Sequence, residues 1–113
     1  MIENDEDRAD ALFHALADRT RRDILRRVLG GEHSISALAS HYNMSFAAVQ
    51  KHVAVLEEAG LVSKETHGRE RLVRGNPERL AHVRSLLLKL EQLWISRFSQ
   101  LDQVLADPHP PRD

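Results

Sequence analysis

The side chains best suited to chemistry lie close together near the middle of the chain, within residues 45–51. Gln50 can bind N6 and N7 of adenine at once, and Lys51 beside it can bind guanine or a phosphate. Ala47 or Ala48 is small enough to touch a thymine methyl group. Ser45 can donate to a phosphate at a helix N-terminus, where unpaired N–H groups also attract anions. These residue types predict a face that reads a DNA duplex.

Such a face requires a helix that buries its opposite side. Val49, Val53 and Leu56 recur at helical spacing and predict a buried face for a helix over 46–59. We expect Phe46 to join that buried face. Taken alone, the pattern fits equally well an amphipathic surface helix whose polar residues are only solvated. The segments on either side must therefore decide between the two interpretations.

A β-hairpin over residues 61–75 is predicted directly after this helix. Two runs with strand character flank the triplet 67–69, which has Gly68 at its centre. Arg69 lies near the tip, where a wing that reaches a DNA backbone needs a cation. The alternative is that the charges only keep an exposed edge soluble. The cations on the two arms are Lys64, Arg69, Arg71 and Arg74.

A short helix and a tight turn precede the helix over 46–59. Ser36 is placed to cap the short helix, and Asn43 lies in the turn. We expect Asn43 to adopt the left-handed conformation, because its short polar side chain lowers the strain there. The helix-turn-helix unit is therefore predicted to cover residues 36–59.

The rest of the chain supports this unit. Asn76 followed by Pro77 is a strong start signal for a last helix. We predict a mainly α fold with a small β-hairpin, forming a single winged helix-turn-helix domain over residues 1–106, and a disordered, proline-rich tail over 107–113. The supporting elements are a first helix over 5–17, a second helix between Asp18 and Gly30, and the last helix over 77–106.

Composition and charge exclude several other classes of protein. The chain has 113 residues and no cysteine, which rules out disulfides, thiolate nucleophiles and cysteine-based zinc sites. The formal net charge is −1, yet acids dominate residues 1–10 and five arginines lie between 19 and 27. No apolar run could cross a bilayer, and the acidic start lacks the features of a signal peptide. We expect no membrane association and a cytoplasmic location.

The last helix carries more apolar residues than so small a domain can cover. We expect them to meet a second copy of the chain, since a large exposed apolar patch normally marks an interface. Pairing with the partner's first helix would place two recognition helices about 34–36 Å apart, one turn of DNA. The alternative is a helix that packs only on its own domain. The predicted interface comprises Leu12, Phe13, Leu87, Leu90, Trp94, Phe98 and Leu101.

Three motifs in this order resemble the arsenic-repressor (ArsR/SmtB) family of winged-helix regulators. They are residues 15–25, residues 45–62 and the Gly68-Arg69 wing, followed by a leucine-rich last helix that contains Trp94. The resemblance spans residues 9–105. It implies a homodimer that associates through its first and last helices, binds a palindromic operator and represses its own or a neighbouring operon.

The family's recognition helix has the pattern Ser-x-x-x-Val-Ser-x-His-Leu. Ser45, Val49 and His52 match it, whereas Gln50 replaces the second serine and Val53 the leucine. The resemblance adds His52 to the residues expected at the DNA. The predicted DNA-binding set is therefore Ser45, Ala47, Ala48, Gln50, Lys51, His52, Arg69 and Arg71.

Many members of that family sense metals, and the sequence departs from their ligand patterns. The cysteine pairs are missing, and residues 107–109 have the Asp-x-His form but lie in the proline-rich tail. His82, near the start of the last helix, is not followed by a carboxylate at the family's spacing. We expect no metal site and no cofactor. The resemblance leaves room for a small-molecule inducer of unknown identity.

Two functions from different classes therefore compete. The first is a sequence-specific, double-stranded DNA-binding transcriptional regulator that acts as a homodimeric repressor. The second is a winged-helix module that binds other proteins and no nucleic acid. An enzyme is not expected, because the chain has no nucleophile elbow, glycine-rich phosphate loop or paired acids in a pocket-forming context.

Overall fold

The computed structural model describes residues 5–106 and contains five helices and a small antiparallel sheet. The predicted disordered tail at 107–113 lies outside the described residues. The elements, in chain order, are α1 (Asp5–Leu16), α2 (Arg19–Leu29), β1 (His33–Ser34), α3 (Ile35–Ala39), α4 (Phe46–Glu58), β2 (Val62–His67), β3 (Glu70–Gly75) and α5 (Pro77–Ala106).

The chain divides into two compact units at a boundary within α5, whereas the sequence predicts one domain over 1–106. The first unit is 1–83 and the second is 84–113, described here from residue 5 and to residue 106 respectively. The first unit holds the helix-turn-helix and the sheet. Its core consists almost entirely of aliphatic side chains, which agrees with the scarcity of aromatic residues in the sequence.

Side-chain caps begin the helices α2, α4 and α5. Asp18 Oδ2 accepts a hydrogen bond from the Arg21 amide at 3.0 Å, and Ser45 Oγ accepts one from the Ala48 amide at 3.1 Å. Asn76 Oδ1 accepts from the amide of Arg79 at 3.3 Å, and its Nδ2 donates to the Gly60 carbonyl at 3.1 Å. The three bonds donated by backbone amides satisfy N–H groups that a helix leaves unpaired at its first turn.

Two predictions for the helix-turn-helix are wrong in detail. Ser34 rather than Ser36 caps α3, because its Oγ accepts from the Ala37 amide at 3.0 Å and Ile35 is already helical. No residue other than glycine has a positive φ within 5–106, so Asn43 is not left-handed. The chain after α3 instead forms turns in which an amide donates to the carbonyl three residues earlier. In one of these bonds the Tyr42 amide donates to the Ala39 carbonyl at 3.2 Å.

The predicted hairpin is part of a three-stranded sheet with the order β1-β3-β2. The strand β1 pairs with β3 through His33 and Ser34, a contact that the sequence did not indicate. Pairing of His67 with Glu70 shortens the tip to two residues, Gly68 and Arg69. Gly68 has φ +63°, the sign that a two-residue hairpin turn needs at its first position and that glycine adopts most easily.

A network of hydrogen bonds around the partly buried Asp23 holds the turn between α3 and α4 in place. Asp23 Oδ2 accepts from the Tyr42 hydroxyl at 2.6 Å and from Arg27 Nε at 3.0 Å. Its other oxygen accepts from Arg26 Nη2 at 2.6 Å. The Tyr42 bond, followed by those from the two arginines, holds the pKa of Asp23 far below its ordinary value. Burial and the bond to Asp23 raise the pKa of Tyr42 to about 12.

Loss of this network should lower the free energy of unfolding in a pH-dependent way. Tyr42→Phe removes one hydroxyl donor and should cost about 1 kcal/mol near neutral pH, and Asp23→Asn about 1–2 kcal/mol. Because the pKa of Asp23 is lower in the folded chain, its contribution is present above about pH 4 and declines as the pH falls further. Urea unfolding between about pH 7 and pH 3 should show the difference between wild type and D23N shrinking; a constant difference would contradict the assignment.

Candidate nucleic-acid interface

The helix α4 is anchored by its aliphatic side. Val49, Val53 and Leu56 are 0% exposed, and α4 packs against both α2 and α3. The opposite side of the helix therefore faces outward, as predicted.

The polar residues predicted to read DNA lie at the surface. Ala47 and Lys51 are exposed, and Ala48 and Gln50 are partly exposed. Neither Gln50 nor Lys51 has a side-chain hydrogen bond or ion pair anywhere in residues 5–106. Their amide and ammonium groups are thus free to bind a partner. Ser45 is exposed as well; its oxygen serves as the helix cap, which leaves its O–H free to donate to a phosphate.

His52 differs from its neighbours because it faces the start of α2. Its Nδ1 lies 3.3 Å from Arg21 Nη1 and 3.9 Å from Asp18 Oδ2. Arg21 in turn donates from Nε to the Ala15 carbonyl at 2.8 Å and from Nη2 to the His14 carbonyl at 3.0 Å. The cap bond from the Arg21 amide is the main reason that the pKa of Asp18 is lowered. Because the His52 ring contacts Arg21 and Asp18 at the start of α2, we leave it out of the DNA-binding surface proposed below.

The four cations of the hairpin fall into two groups. Lys64 Nζ lies 3.4 Å from Glu57 Oε1, and Arg74 pairs with Glu32, which raises the pKa of Arg74. Arg69 and Arg71 are exposed and have no ion pair among the described residues. These two arginines are the ones available to a phosphate backbone.

Phe46 corrects a prediction, because it is 46% exposed rather than part of the buried face. Phe46 is the first residue of α4. Helical side chains lean toward the N-terminus, so a side chain at the first position extends past the end of the helix, where no preceding turn covers it. It lines a cavity of about 160 Å³ that also includes Gln50, Arg69 and Arg71. The start of α4 and the hairpin thus share one concave surface.

Sequence reasoning missed a second cationic surface beside the turn. Arg19, Arg22 and Arg26 of α2 line an open cavity of about 480 Å³ together with Tyr42. Arg22 Nη1 donates to the Leu16 carbonyl at 2.8 Å, and Arg26 pairs with Asp23. The run of arginines in the sequence was the available signal, but helical spacing alone did not show which of them flank the turn.

An amphipathic helix held after a turn and followed by a hairpin with free arginines defines a winged helix-turn-helix DNA-binding protein. Comparison with known proteins agrees. A family model described as a helix-turn-helix domain matches residues 16–65. The chain is 32% identical over 96 residues to the HTH-type transcriptional regulator Rv2034 of Mycobacterium tuberculosis, a match that covers 85% of this chain and 87% of that protein.

Two further relatives narrow the class. The transcriptional repressor SdpR of Bacillus subtilis is 33% identical over 57 residues, which are 50% of this chain and 63% of that protein. The crystal structure of an ArsR family transcriptional regulator, RHA00566, superposes with a TM-score of 0.74 at 32% identity and covers 85% of this chain and 98% of that one. The chain belongs to the ArsR family of DNA-binding transcriptional regulators, which are not enzymes. DNA binding and a homodimeric state are typical of this family.

The division of the wing's cations predicts the salt dependence of DNA binding. If each of the two free arginines binds one phosphate, Arg69→Ala and Arg71→Ala should each reduce the slope of log K against log salt by about 0.9 for every chain bound. Lys64→Ala is the matched control and should change the slope little, since Lys64 already pairs with Glu57. Titrations by fluorescence anisotropy at several salt concentrations would measure this. Equal slopes for all three variants would exclude the proposed division.

Proposed function

We propose that this regulator is a homodimeric repressor that binds a palindromic operator in double-stranded DNA and controls its own or a neighbouring operon. The observation that carries the proposal is the free polar face of α4 beside the unpaired arginines of the wing. Gln50 and Lys51 are accessible at the helix, and Arg69 and Arg71 are accessible on the hairpin. The helix α4 can enter the major groove while the hairpin follows the DNA backbone. Its site of action is the cytoplasm, where the operator would be.

The alternative, a module that binds only proteins, is disfavoured by the chemistry of this surface. A protein interface normally has an apolar centre depleted of charge. The outward face of α4 instead presents an amide, an ammonium group and two small alanines beside a single exposed ring, that of Phe46, with two guanidinium groups on the adjoining wing. The repressive effect is supported by the likeness to SdpR, which is named a transcriptional repressor.

The proposed dimer is supported by the composition of α5 after residue 84. Trp94 is 61% exposed, and its ring stacks on Phe98 with centroids 5.6 Å apart. Water contact with so much apolar surface is unfavourable by about 25 cal/mol per Å², which a second copy could relieve. Along one side of the helix the exposed apolar side chains are Leu87, Leu90, Trp94, Phe98, Leu101 and Leu105.

On α1 the two predicted interface residues differ. Leu12 is 1% exposed and packs in the core of its own unit, so it drops out of the surface that we propose. Phe13 is partly exposed and remains in it.

Among residues 5–106 no helix is long and apolar enough to cross a membrane.

DNA binding can be tested with a duplex that carries the protein's own upstream region. We expect retardation in a gel at low salt, with affinity that falls steeply as salt is added. Lys51→Ala should weaken binding about tenfold without changing the thermal unfolding midpoint, because Lys51 is exposed and unpaired. Lys89→Ala, an exposed cation on α5, serves as the control. No retardation at any salt concentration, with the protein folded, would support the protein-binding module instead.

The oligomeric state can be tested separately. Light scattering at micromolar concentration should give twice the mass of one chain. Trp94→Glu should give the mass of one chain, because it places a charge within the apolar side of α5. Gln92→Glu, two residues away and on the opposite side of the helix, should remain a dimer. A wild-type monomer, or a dimer unaffected by W94E, would remove this surface from the interface.

A further inference from the structure

One large aromatic side chain of the first unit, that of Phe46, is exposed beside the proposed DNA-binding face. Within residues 5–83 the large apolar side chains that are exposed are Leu29 and Phe46. Leu29 lies against the backbone of Gly75, where a Cβ would come within 2.6 Å of its Cδ2. Phe46 instead lines the cavity beside the wing. A single exposed apolar residue is ordinary on a protein surface, so its surroundings must decide whether this one does anything.

The surroundings of Phe46 are those of a base-reading surface. Phe46 and Gln50 are separated by four residues on α4, so they are neighbours on one side of the helix. Both line the cavity of about 160 Å³ that is also lined by Arg69 and Arg71 of the wing. Glu70, the acid between these arginines, lines it as well. An apolar ring thus lines the same cavity as a side chain that can bind adenine and cations that can bind phosphate.

The chemistry of an A·T base pair matches this pairing of side chains. In the major groove adenine presents N7 and the N6 amino group, which a glutamine can bind bidentately, and thymine presents a 5-methyl group, which prefers an apolar contact. A helix that places its glutamine on an adenine brings the residue one turn earlier close to the same or the next base pair. Phe46 is that residue.

We propose that Phe46 is a specificity-determining residue that contacts the 5-methyl group of a thymine beside the adenine bound by Gln50. The inference rests on the proposed function, since it requires α4 to enter the major groove. It adds an apolar readout to the polar one, and it explains why a phenylalanine is left exposed at the first position of the recognition helix.

The test compares thymine with deoxyuridine, which lacks only the methyl group. The wild-type protein first selects a duplex from a randomised pool, and that duplex is resynthesised with deoxyuridine at one thymine of each half-site in turn. At one position the substitution should weaken wild-type binding roughly fourfold per half-site, the value of one buried methyl group. Phe46→Ala should lose this preference, so its affinities for the two duplexes should differ by roughly fourfold less per half-site than those of the wild type. Effects of the substitution on DNA shape cancel, because both proteins meet the same two duplexes.

Two variants separate this contact from its neighbours. Phe46→Leu keeps an apolar side chain and should retain part of the preference for the methyl group, whereas Phe46→Gln should lose it at similar size. Gln50→Ala should bind more weakly yet keep the preference. Circular dichroism and thermal unfolding establish that each variant is folded, and F46Q replaces F46A if the latter is not.

The outcomes distinguish this inference from the function on which it rests. If the wild type selects a duplex but F46A and F46Q show the same deoxyuridine effect as the wild type, the thymine contact is wrong and the DNA-binding repressor stands. The same holds if no position shows any effect in the wild type. If the folded wild type selects no duplex at all, both proposals fail.

Discussion

The outward face of α4 is fixed by the burial of its inward face. Val49, Val53 and Leu56 are completely enclosed where α4 meets α2 and α3. Exposing one such side chain costs about 1.5–3 kcal/mol, so the helix cannot turn about its axis without losing much of a small domain's stability. The buried side of α4 therefore determines which of its residues can contact a ligand. The helix caps, the turn between α3 and α4 and the wing then hold further polar side chains in place around α4.

Features that depend on neighbours in the chain could be predicted from the sequence. Asp18, Ser45 and Asn76 cap helices because a cap needs only its own side chain and the amides two or three residues later. The aliphatic side of α4 followed in the same way from the 3.6-residue period. These local rules, together with the motifs shared with the ArsR family, were sufficient for the fold class and for most of the polar surface.

Features that depend on distant residues could not be predicted. The pairing of β1 with β3 joins His33 to Val73, and nothing in a two-residue strand indicates its partner. The division of the wing's cations has the same origin, because Arg74 finds Glu32 far away in the sequence. The exposure of Phe46 could not be predicted for another reason. Its spacing fits the buried face, but α4 begins at this residue, so no preceding helical turn covers the side chain. Periodicity describes the middle of a helix better than its ends.

The contacts of Arg21 link parts of the first unit that the sequence treats as separate. One guanidinium group holds the last carbonyls of α1 and also reaches His52 on the recognition helix. A shift of α1 relative to α4 must therefore stretch or break at least one of these contacts. The end of α1 and the helix that carries Gln50 and Lys51 are therefore linked through one side chain, which neither helix shares with the wing.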